Sequence, residues 1–156
     1  EPAPSEHQIV KLNAPKGEHF GVGLGNESDT KDFYMSSLKG DSSFIEPKKF
    51  SCIVKQETRT LDSVWKQLNL TRVKLLKIEA EGFEPEILHG ATEVLRDVDY
   101  ISIDGGYERG VKREETFCAQ INFLTKHGFI MQFVYLPWGR ALLKNTSNKI
   151  NVKPST

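Results

Sequence analysis

The run VKLLKI, Val73 to Ile78, gives way at once to the acidic turn EAEG, Glu79 to Gly82, and then to PEILHGATEVLR. A short apolar run bounded by a glycine turn reads as a buried strand. The segment after it, Pro85 to Arg96, carries Ile87, Leu88, Ala91, Val94 and Leu95 on one helical stripe. A strand that feeds a helix through a tight turn is the repeating half of an α/β protein, so the chain is expected to build a largely parallel sheet.

The rest of the chain continues that alternation. Pro4 to Asn13 suits a short helix opened by proline. His19 to Asn26 and Lys31 to Ser37 read as strands, and LKGDSSFIEPKK, Leu38 to Lys49, as a loop. Cys52 to Thr60 reads as a strand and runs into a helix capped by Thr60, with Leu61, Val64, Trp65 and Leu68 on one face. Tyr100 to Asp104 is the next strand, and Glu114 to His127 a helix ended by Gly128. FIMQFVYL and RALLKN form a closing hairpin through Pro137, Trp138 and Gly139, which predicts one antiparallel edge. One domain over residues 1–148 is expected, followed by a polar tail, 149–156.

Charge narrows the function. Lys plus Arg is 21 and Asp plus Glu is 21, a balance that argues against a nucleic-acid partner. No run of about 18 apolar residues exists, so no membrane span is expected. The two cysteines, Cys52 and Cys118, make no CxxC pair and read as reduced, partly buried thiols of a cytoplasmic protein. None of the four histidines has a partner at metal spacing, and no metal is predicted.

The chemistry concentrates at strand ends. In open α/β sheets, ligands bind beyond the carboxyl ends of the strands. Glu79 and Glu81 lie at one such end and Asp104 at the next. An extended backbone would point Glu79 and Glu81 to the same side, either into a ligand or into solvent with a salt bridge to Lys77 or Arg109. Glu84 and Glu86 fit the start of a helix, where its dipole favours negative charge. In DGGYERG, Glu108 and Arg109 are either substrate contacts or a loop ion pair. GVGLGN is not a dinucleotide fingerprint, because Asn26 stands at the third glycine position. It is better read as a strand with small residues near a ligand edge.

Thr60-Leu61-Asp62, then Lys77, Ile78, Glu79, Glu81, Gly82, Glu84, Leu88, Gly90 and Ala91, follow a longer pattern in order and length. The run resembles the FkbM-type methyltransferases, which carry a TLD segment, a strand ending in K-I-D-x-E-G-x-E, and a helix with L-x-G-A. Glu79 stands where that family more often has Asp. The resemblance implies a Rossmann-like class I methyltransferase sheet, mostly parallel with an antiparallel C-terminal edge hairpin, and S-adenosylmethionine as cofactor. It implies methyl transfer to a hydroxyl of a sugar or other small-molecule acceptor. By the same resemblance, Glu1 binds the cofactor ribose, Leu24 and Gly25 line the adenine pocket, and Glu79 lies near the cofactor's amino group or methyl. Glu81 is then the general base or a hydrogen-bond acceptor for substrate, with Glu108 and Arg109 as substrate contacts. A magnesium variant, with Glu79 or Glu81 beside Asp104, is the weaker expectation for want of a third ligand.

Against the family pattern, the glycine-rich loop and first two strands have no counterpart before Glu1, so the chain reads as N-terminally truncated. Three arrangements follow: a fragment of a longer protein, a second copy paired on the open sheet edge as a homo-oligomer, or the strand near Gly21 moved over to pair beside Leu75. The alternative to an enzyme is a non-catalytic fragment or assembly module unable to bind the cofactor alone.

Overall fold

The computed structural model describes residues 1–37 and 40–147, so the expected tail at 149–156 lies outside the described residues. Two sheets form. The first has three strands in the order β1 (Gly23–Leu24), β3 (Cys52–Arg59), β2 (Asp29–Met35). The second has four, in the order β4 (Val73–Ile78), β5 (Val98–Asp104), β7 (Arg140–Asn145), β6 (Phe129–Tyr135). The helices are α1 (Pro4–Asn13), α2 (Leu61–Leu68), α3 (Glu84–His89) and α4 (Phe117–Lys126).

The α/β class holds, but the mostly parallel sheet does not. Among the described residues the β1–β3 and β4–β5 pairs are parallel, whereas β2–β3, β5–β7 and β6–β7 are antiparallel. The closing hairpin forms as expected, through a 3-10 turn at Leu136–Trp138 and Gly139 at φ 62°. Its second strand, β7, lies between β5 and β6, so β6 is the outer strand and the hairpin forms the antiparallel edge, two of the four strands. The strand expected at His19 to Asn26 shrinks to Gly23–Leu24 and pairs with β3, so it does not move beside Leu75.

The core lies on one face of the larger sheet. Ile78, Ile101, Ile103, Ala141, Leu143 and Phe129 pack with Ile87, Leu88, Ala91, Leu95 and Leu124 in one buried cluster. The register puts Leu75, Tyr100, Lys144 and Ile130 in one row across the sheet. That row belongs to the opposite face, where Leu75 is 54% and Ile130 51% exposed. Among the described residues β4 pairs only with β5, so this strand, expected to be buried, is an edge with Ile78 its one buried residue. Both cysteines are free and exposed rather than partly buried.

The helix expected over Pro85 to Arg96 breaks in two. Helix α3 ends at Gly90, and a 3-10 turn follows at Val94–Asp97. The break has two causes. A Cβ on Gly90 would lie 1.9 Å from the carbonyl oxygen of Gly25, so β1 passes directly against the helix end. The Asp62 carboxylate accepts hydrogen bonds from the backbone N–H groups of Glu93 (3.1 Å) and Val94 (2.8 Å), starting the second turn from outside. Asp62 N in turn donates to Gly90 O at 3.0 Å. Helix α2 begins as its sequence predicts, with Thr60 Oγ1 accepting from Ser63 N at 3.1 Å. Helix α4 starts later than Glu114, because Glu114 and Arg109 exchange two backbone hydrogen bonds that close the preceding loop.

Candidate active site

The acidic turn leaves β4 by an abrupt change of backbone direction. Glu81 sits at φ 49° and Gly82 at φ 92°. A non-glycine residue at positive φ is uncommon and is held there only by its surroundings. At Gly82 a side chain has no room, since a Cβ would approach Arg109 Cα to 2.5 Å. The extended geometry expected to align Glu79 with Glu81 is therefore absent, yet both residues line the same hollow.

That hollow is a cavity of about 450 Å³ bordered by Glu1, Leu24, Glu79 and Glu81. Its apolar wall comes from Phe33, Phe44, Phe83 and Ile87, with Ser42 and Ser43 beside them. Phe44 links the wall together, packing on Phe33 at 4.6 Å and on Phe83 at 5.2 Å between ring centroids. Ser43 Oγ donates to Glu81 O at 2.8 Å and accepts from Ile45 N at 3.1 Å, tying the 40–45 loop to the acidic turn. Glu1 accepts a hydrogen bond from Ala3 N through Oε1 at 2.9 Å. Glu79 is exposed and forms an ion pair with Lys77.

The Glu81 carboxyl is strongly perturbed. Burial pushes its pKa up to about 7, and the negative charges of Glu108, Asp41, Glu84 and Asp104 add to the effect. A carboxyl tuned close to neutral pH can accept a proton and release it again, as a general base must. Glu108 is raised as well, chiefly by burial and then by Asp104 and Glu84.

Several expected residues stand elsewhere. Gly25 lies outside the cavity lining, buried against Gly90 and Phe83. Arg109 does not point to a free substrate position. Its guanidinium bonds both carboxylate oxygens of Glu86, at 2.9 and 2.6 Å, and also Gly82 O. It thus fastens the 104–115 loop to α3, and the ion pair it forms is with Glu86 rather than with its neighbour Glu108. Asp104 receives Arg140 Nε at 2.6 Å and faces a second cavity, about 630 Å³, with Glu108, Tyr107, Arg113 and Trp138. The acids thus separate two hollows, with Glu79 and Glu81 on one and Asp104 and Glu108 on the other. Among the described residues no group of three or more His, Cys, Asp or Glu side chains is placed to hold a metal ion.

The sequence reading missed Ser42, Ser43, Phe33 and Phe44 as cavity residues. The two serines and Phe44 sit in a stretch without periodicity, and nothing local signals which cavity such a loop will close.

A mixed α/β chain whose strand ends carry an acid-walled cavity with an aromatic flank has the features of a ligand-binding pocket. The sequence pattern of the Methyltransferase FkbM domain matches residues 4–135, and the chain belongs to that family. It is by this resemblance a methyltransferase. No curated protein and no solved structure matches the chain. Among the described residues no helix is long and apolar enough to cross a membrane.

Proposed function

We propose that the chain transfers a methyl group from S-adenosylmethionine to a hydroxyl of a small-molecule acceptor such as a sugar. The observation that carries this reading is the single cavity shared by Glu1, Leu24, Glu79 and Glu81. Its chemistry fits the cofactor in each part. Phe33, Phe44 and Leu24 offer an apolar wall for a purine, and Glu1 a carboxylate for a ribose diol. Glu79 and Glu81 supply negative charge toward an ammonium and a sulfonium. The cofactor, when bound, supplies an electrophilic methyl on that sulfonium.

The residues of the chain then do the rest. Glu81 accepts the hydroxyl proton of the acceptor as the nucleophile forms, and its raised pKa keeps it competent near neutrality. Glu79 would hold the cationic end of the cofactor at this cavity, and alignment of the reacting groups supplies much of the rate of such a transfer. Glu108 lines the other hollow with Asp104 and acts on Glu81 through its charge. The test is methyl transfer from isotopically labelled cofactor to a panel of hydroxylated small molecules, with Glu81→Gln as control. The reading requires product with the unaltered chain and a loss of about 10²-fold or more in the variant. Equal rates for the two would contradict it.

A second reading rests on a different observation, the unpaired outer edge of β4 among the described residues. An unpaired strand edge is a template for another strand. We infer that a second copy of the chain pairs there, as a homo-oligomer, and that this contact is independent of methyl transfer.

A further inference from the structure

Glu84 is 1% exposed, although it is an acid at the first position of a short helix. A helix-dipole role does not require burial, because that interaction operates on the surface. The carboxylate is instead surrounded by donors. Glu84 Oε1 accepts from Ala80 N at 2.9 Å and from Gly82 N at 3.1 Å, the two amides on either side of Glu81. Glu84 Oε2 accepts from Thr116 Oγ1 at 3.0 Å. Gln120, fully buried, donates through Nε2 both to Thr116 Oγ1 at 3.0 Å and to Asp104 O at 3.1 Å. One continuous chain of hydrogen bonds therefore runs from the exit of β4, through α3 and α4, to the exit of β5.

We propose that Glu84 is a positioning residue: by gripping the backbone on both sides of Glu81, it holds that residue in its left-handed conformation at the cavity wall. The inference rests on the reading of Glu81 as the base. Glu81 cannot keep φ 49° by its own preference, so its neighbours must hold it. Three anchors do so: Glu84 at the flanking amides, Ser43 at the Glu81 carbonyl, and Arg109 at the Gly82 carbonyl. Of these, Glu84 is linked through Thr116 and Gln120 to the Asp104 carbonyl at the end of β5. The charged groups that act on Glu81 are Glu108 and Asp104 from the β5 side, Asp41 from the 40–45 loop, and Glu84 itself. Arg109 and its partner Glu86 complete the surroundings of the turn.

The experiment uses the full chain in three forms, Glu84→Ala, Glu84→Gln and Thr116→Val. Amide hydrogen exchange at Ala80 and Gly82 reads the grip without any substrate. Methyl-transfer kinetics read its consequence. Glu84→Ala should release both amides and lower kcat by about 10²-fold, since a small misplacement of a reacting group has that scale of effect. The KM for the cofactor should move by less than about threefold, because the lost interaction orients the base. Glu84→Gln keeps an Oε1 acceptor, so amide protection and most of kcat should return. With one negative charge fewer beside Glu81, its acidic pH limb should shift to lower pH. If Glu84→Ala does not fold, Thr116→Val decides the matter, as removal of the Oε2 donor should lower kcat in a chain with native melting behaviour. Unchanged exchange at Ala80 and Gly82 in Glu84→Ala would overturn the proposal, as would unchanged kcat in Thr116→Val. Exchange that responds as expected in a chain with no methyl transfer would overturn only the reading of Glu81 as base.

Discussion

Glu81 concentrates the behaviour of the site in one residue. Its carboxyl titrates near 7, whereas an unfolded chain titrates it near 4.5. Two consequences have opposite pH dependence. As a base, Glu81 must be unprotonated, so kcat/KM should rise about tenfold per pH unit on the acid side and level off above about 7. For stability, the folded state holds a proton between those two values that the unfolded state has released. Stability should therefore decline as pH rises from about 4.5 to about 7, and Glu81→Gln should remove that decline. Urea melts of both forms at pH 5 and pH 8 check the sign, and a wild-type chain that gains stability over the interval would refute it. At this scale the sequence was informative about residue types. The acids at the strand end were visible as an unusual density of carboxylates, and two of them line the cavity. Partners were less visible. Arg109 finds Glu86 at a distance of 23 residues in sequence, and no local pattern distinguishes that pair from Arg109 with its neighbour Glu108. Glu84 gave the same signal as any acid at a helix start, so its burial was not readable from position.

Among the elements, the break between α3 and the 3-10 turn explains two parts of the family pattern at once. The Asp of the TLD segment, Asp62, binds the amides that start the 3-10 turn, while Gly90 of the L-x-G-A segment lets the end of β1 pass. Both positions join α2, α3 and β1, so their loss should loosen the wall that carries Leu24. Asp62→Ala leaves two backbone donors without that acceptor and should cost about 1–3 kcal/mol. Gly90→Ala should be at least as damaging, because its Cβ meets a backbone oxygen rather than a side chain that can turn away. Thermal melts measure both, and a Gly90→Ala chain of native stability would show that the β1 contact is absent in solution. The continuous helix expected over Pro85 to Arg96 followed from its apolar stripe. That stripe is real, since Ile87, Leu88, Ala91, Val94 and Leu95 are all buried. The periodicity could not show that a distant carboxylate and a passing strand interrupt the hydrogen bonding. The capped start of α2 was legible, because Thr60 and the helix it caps are adjacent in sequence.

Across the whole molecule, the α/β class was legible and the sheet arrangement was not. Alternation of strands and helices identifies the class, but strand order depends on contacts far apart in sequence. β7 enters between β5 and β6, and β1 joins β3, without any local sequence reason. Val73 to Ile78 looked buried because it is a short apolar run, yet Leu75 is exposed and, among the described residues, β4 pairs only with β5. The inferred pairing of two copies along β4 should appear as concentration-dependent association in sedimentation velocity. Leu75→Lys, which places charge beside the edge, should weaken it. A wild-type chain that stays monomeric over the accessible range would remove the inference and leave the cavity unaffected.

The most direct test of the central claim is calorimetric titration of the chain with S-adenosylhomocysteine. The acid-walled cavity predicts saturable heat with micromolar affinity, weakened by about tenfold or more in Glu1→Gln, which removes the charge offered to the ribose. An absence of heat at millimolar ligand, or full affinity in the variant, would contradict it.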